Sequence, residues 1–276
     1  MAESINKRWF QRGIRFLVSG IVVVSLAWLL QIYEIALKNS QWLSGWILLG
    51  LIVVLVLYNA RKKIPFLPMG RNRSWLQLHL YIGLIATFLF LIHLQWRWPE
   101  GYIELPLSVL FILICASGVI GILMSRTFAR RLAQQGEQII FERIPGFAVE
   151  LRNSAEALVR ESIETTESTT LANFYSRNVA TFFGRPRFSL RYLFNSRRRY
   201  FRLTSELAAQ ERYMNDKEKE FTEQLLALVA QKNSLDTQYA LQLTLKSWLF
   251  VHIPLTYSMV LVLLAHIVLV YGFGAA

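Results

Sequence analysis

The chain contains four histidines, His79, His93, His252 and His266, in two pairs each separated by 14 positions. In an α-helix, 14 positions bring a side chain back to within about 40° of its starting direction and advance it ~21 Å along the axis. Each pair therefore shares one helix face. All four lie in strongly apolar stretches, where an ionisable side chain is costly and reads as a functional group. Imidazole is an axial ligand of haem iron, and facing helices of a bundle commonly build cofactor sites. Two helices that each present two histidines offer ligand pairs for two macrocycles.

The elements that must position these residues are membrane spans. The hydrophobic fraction is 54%, above the roughly 45–50% of soluble domains. A span needs ~20 apolar residues. Five segments meet or approach that, at about 15–37, 42–60, 75–96, 103–125 and 248–273. The first follows a basic start, but its apolar run exceeds the ~7–15 residues of a signal sequence, so it reads as a true span. Cys115 is the single cysteine. One cysteine excludes an intrachain disulfide, a CxxCH haem attachment and a Cys-ligated iron–sulfur cluster.

The net charge of +12 is distributed as a membrane protein requires. Of the 30 Lys and Arg, only Lys38 and Arg97 fall in the two loops assigned to the outer side. The rest crowd the N-terminus, the loop after the second span and the insert before the fifth. The positive-inside rule makes that side cytoplasmic, with the N-terminus inside and the C-terminus outside. The expected setting is a bacterial inner membrane.

In this topology the third and fifth spans run in the same direction. His79 and His252 then lie at one depth near the cytoplasmic side, and His93 and His266 at another near the outer side. The flanks of the lower pair match: Arg73-Ser74-Trp75-Leu76 precedes His79 as Lys246-Ser247-Trp248-Leu249 precedes His252. The tryptophans suit the interface. Arg73 and Lys246, and Arg97 on the outer side, are candidates to meet haem propionates. Gly83, one turn beyond His79, would let a flat ring approach the backbone.

On these histidine-bearing helices, roughly 70–100 and 245–272, the chain resembles the di-haem cytochrome b class: the cytochrome b of respiratory complexes and the ferric reductase group. The resemblance implies that His79 and His252 hold one haem b and His93 and His266 the other, with iron as the metal. It implies a transmembrane electron wire. The flavin and nicotinamide module of the reductase group is missing, and the span count and long insert differ. Pro99-Glu100-Gly101-Tyr102 is similar to the Pro-Glu-Trp-Tyr quinol-site sequence of respiratory cytochrome b. It lacks the Trp and follows the wrong ligand helix, so a quinone has no further support. A turn with a solvated Glu reads it as well.

The expected fold is an all-α membrane bundle of about five spans, divided as 1–125, a cytoplasmic insert 126–246, and 247–276. The insert reads as a helix around 126–136, a strand-like piece near EQIIFERI, a helix near 147–163, a polar loop ESIETTESTT, and a long helix from about 203 to 232. Residues 185–202 hold seven Arg with interleaved aromatics. Beside a bilayer this suits anionic lipid or an acidic partner, not nucleic acid. There is no phosphate-binding Gly-rich loop, and no catalytic constellation stands out. The expected role is thus an electron-transfer subunit of an oxidoreductase complex, served by other redox subunits. Because the outer loops are short, a periplasmic c-type cytochrome is the expected outer partner. A reading from another class makes the chain a membrane scaffold or transport subunit whose histidines transfer protons.

Overall fold

The structure, a computed structural model, describes residues 2–37, 40–61, 72–184, 198–210, 212 and 214–273. Side chains are described from Phe10 onward, apart from those of 11, 12, 37, 59–61, 72, 73, 198 and 199 within these ranges. Most of the basic aromatic segment, 185–197, lies outside them.

The protein is all-α, with no strand among the described residues. The helices are α1 (Ala2–Leu37), α2 (Ser40–Arg61), α3 (Asn72–His93), α4 (Glu104–Ala133), α5 (Ile144–Thr166), α6 (Thr170–Phe174), α7 (Arg198–Gln210) and α8 (Asp216–Phe273). Five are long and apolar enough to cross a bilayer: α1, α2, α3, α4 and α8. In hydrocarbon every backbone N–H and C=O must be satisfied internally, and long apolar sequences meet that demand as helices. The chain is an integral membrane protein.

It folds as two compact units, Met1–Ser117 with Ile253–Ala276, and Gly118–His252. In the first, Leu48 and Ile52 of α2, Ala86, Leu89 and Phe90 of α3, Phe111 of α4 and Met259 of α8 form the core with Leu30. Phe90 stacks on Phe111 at 4.2 Å between centroids. Most apolar side chains of α1 face outward, as lipid-facing residues do. Helix α3 ends directly after His93 in a Schellman turn. Gln95 N donates to Ile92 O and Trp96 N to Leu91 O, with Gln95 at φ 52° and Trp96 at φ 60°. These bonds satisfy carbonyls that the helix end would leave orphaned.

In the second unit, the strand-like expectation for EQIIFERI is overturned. Residues 138–140 are extended, Phe141–Arg143 form a 3₁₀ turn, and α5 starts at Ile144. An extended segment needs backbone partners, and here glutamine side chains of α8 supply them. Ile139 N–H donates to Gln238 Oε1 (3.0 Å), while Gln238 Nε2 donates to Glu137 O (3.1 Å) and Gln242 Nε2 to Ile139 O (2.9 Å). The expected single helix over 203–232 is two helices. Asn215 and Glu218 form a capping box: Glu218 N donates to Asn215 Oδ1 and Asn215 N to Glu218 Oε2. That box starts α8 afresh. From there α8 is continuous for 58 residues, so the fifth span has no break at its N-terminal end. The polar loop shrinks to 167–169, since α5 persists to Thr166. Phe174, Phe182, Phe183, Leu207 and Leu225 centre this unit's core.

Candidate cofactor site

The first unit contains a cavity of about 460 Å³, within the roughly 300–1,000 Å³ typical of ligand sites. His93 from α3 and His266 from α8 both line it. Its walls are largely aromatic and aliphatic: Trp42, Trp46, Phe90, Phe111, Leu263 and Tyr271. Tyr271 is held edge-on by Trp42 at 5.4 Å and Trp46 at 6.1 Å. Polar groups are few, with Gln41, Arg97, Glu104 and Ser108 among them. The structure thus brings together three of the residues expected at the outer site: His93, His266 and Arg97. Two imidazoles, apolar walls and one guanidinium form a donor set that fits a bis-imidazole macrocycle with acidic substituents.

Helix α2 supplies what the sequence reading missed. Ser44 Oγ lies 2.9 Å from His93 Nδ1. Beside it, a Cβ added to Gly45 would sit 3.2 Å from His93 Cε1. The small pair Ser44-Gly45, set between Trp42-Leu43 and Trp46-Ile47, was the available signal, since small residues let membrane helices approach closely.

His79 also belongs to the first unit. The Tyr58 ring of α2 is tilted against it at 5.1 Å. One turn on, a Cβ built on Gly83 meets nothing within 4 Å, so this helix face is open. Arg15 of α1 donates to Gln77 Oε1, which ties α1 to the start of α3. The side chain of Arg73 lies outside the described residues.

No family model, characterised protein or solved structure matches this chain.

His252 belongs to the second unit. Trp248 stacks on it at 5.0 Å with 23° between the planes. The sequence reading assigned this indole to the membrane interface alone. Its position depends on Gly121 of α4, where a Cβ would fall 2.1 Å from Trp248 Cζ2. Lys246 is engaged by Glu142 at 2.5 Å and lies over the Phe141 ring at 4.1 Å. The Lys246 hydrogen bond holds the Glu142 carboxyl below the usual carboxylate range. Among the described residues, no group of three or more His, Cys, Asp and Glu is placed to hold a bare metal ion. The residues 99–103 form an irregular turn with Glu100 and Tyr102 exposed.

Proposed function

We propose that the chain is a di-haem b-type cytochrome subunit that carries electrons across a membrane. The carrying observation is that His93 and His266, from two different membrane-spanning helices, line one largely apolar cavity. They would hold the outer haem, with Arg97 offsetting propionate charge. His79 and His252 would hold the other near the cytoplasmic side, by the equal depth and matched flanks of the two helices. Each haem, when bound, exchanges one electron at its iron. The chain's histidines would hold the iron, and the Trp, Phe and Leu walls would set burial and exclude water, which are the protein's levers on potential. Electrons would pass between a cytoplasmic or quinone partner and an outer redox protein such as a c-type cytochrome. The setting proposed is a bacterial inner membrane.

The test is optical. Protein purified from haem-replete cells is expected to give a b-type reduced-minus-oxidised spectrum and a pyridine haemochrome stoichiometry of two. His93→Ala or His266→Ala should each lose one haem, and the same one. His252→Ala should lose the other. A colourless wild-type protein refutes the proposal and is what the proton-transfer alternative predicts.

A further inference from the structure

Ser44 is nearly fully buried on α2, so its hydroxyl must find partners within the protein. Its Oγ lies 3.0 Å from the Gln41 carbonyl oxygen and 2.9 Å from His93 Nδ1. A hydroxyl has one proton and two lone pairs. The Gln41 carbonyl oxygen can only accept, and the Ser44 hydroxyl donates to it, as the His93 ring also does. What Ser44 then presents to the imidazole is a lone pair, and Nδ1 must carry the hydrogen. In a neutral imidazole with a protonated Nδ1, Nε2 is the bare nitrogen. Gly45 restricts the ring further, because any Cβ at that position would crowd Cε1.

We infer that Ser44 is the positioning residue of the outer haem: it fixes His93 in the Nδ1–H tautomer and leaves Nε2 as the nitrogen that binds iron. The inference rests on the haem reading above. Its chemical consequence is directional. An imidazole that donates Nδ1–H to an acceptor is the more basic ligand. A more basic ligand favours ferric over ferrous iron and lowers the potential of that haem. The Ser44 hydroxyl therefore holds the outer haem at a lower potential than His93 alone would set, while the other haem does not feel it.

The experiment is a redox titration of the purified full-length protein, followed optically and by low-spin ferric EPR, on wild type, Ser44→Ala and Ser44→Thr. Expected are an upward shift of one of the two potentials in S44A, a moved EPR signal for that haem alone, and restoration of both by S44T. Retention of that haem in S44A should weaken by about tenfold or more, the usual effect of losing such a partner. Nitrogen-15 NMR of histidine-labelled protein gives the tautomer independently: His93 should be Nδ1-protonated in wild type and lose that preference in S44A. A wild-type protein with two haems whose potentials and EPR signals ignore both substitutions overturns the inference alone. A wild-type protein without haem overturns the reading beneath it, and the positioning role of Ser44 falls with that reading.

Discussion

At Gly45 an added Cβ would lie 3.2 Å from the nearest His93 ring carbon, so alanine there forces the imidazole to give by a few tenths of an ångström. Valine would leave the ring no room. On the proposed di-haem reading, Gly45→Val is expected to abolish binding of the haem assigned to His93 while the second haem remains, read as a halved haemochrome yield with folded protein. Gly121 acts on an indole in the same way but with less tolerance, since Trp248 comes within 2.1 Å of its Cβ position. Gly121→Ala must displace Trp248 and disturb its stack on His252. Overpacking of this kind costs about 1–3 kcal/mol, measurable as a lowered midpoint of denaturant unfolding. Neither glycine sits at positive φ, so both act through space and not through backbone conformation.

At the scale of elements, the second unit depends on Gln238, whose amide takes both a donor and an acceptor from the 137–139 segment. Gln238→Leu keeps volume but removes the side-chain partner of the half-buried Ile139 N–H and of the Glu137 C=O, and each lost hydrogen bond costs about 0.5–1.5 kcal/mol. The expected outcome is a loss of about 1–3 kcal/mol and faster amide exchange of Ile139. The α3 terminus offers the opposite case. Gln95 sits at φ 52° in a position that glycine favours, so Gln95→Gly should stabilise the protein by about 0.5–1 kcal/mol, again by unfolding midpoint. These two elements also mark what the sequence makes legible. The spans followed from length and hydropathy, and the described helices overlie all five expected segments. The four histidines announced themselves by equal spacing. The break before α8 was readable in Asn215-Asp216-Lys217-Glu218, yet alternating charge around it masked the cap. The strand-like reading of EQIIFERI failed because β-branched, apolar composition cannot reveal that helix glutamines will satisfy the backbone instead. Ser44 and Gly45 were invisible for a similar reason. Their role lies in a contact between helices, and only their small size in a bulky stretch hinted at it.

At the scale of the whole molecule, the charge distribution and the number of spans bear on each other. Five spans place the two ends of the chain on opposite sides of a bilayer. Every basic residue except Lys38 and Arg97 then falls on the N-terminal side, whereas removing any one of the first four spans from the count would divide the Arg-rich insert and the N-terminal cluster between sides. The proposed orientation puts that face in the cytoplasm by the positive-inside rule. This orientation also carries the haem assignment, because only with α3 and the last part of α8 running in the same direction do His93 and His266 share a depth. Their common cavity in the first unit agrees with that course. A topology experiment therefore tests more than topology. In a Cys115→Ser background, a single cysteine near residue 5 should resist a membrane-impermeant maleimide applied to cells, while one placed at residue 275 should react. A cysteine at residue 153, on the insert, should behave like the first. If the residue 275 label reports the same side as residue 5, the span count is even. The five-span topology is then lost, and with it the orientation on which the proposed sorting of the four histidines into a cytoplasmic and an outer level rests.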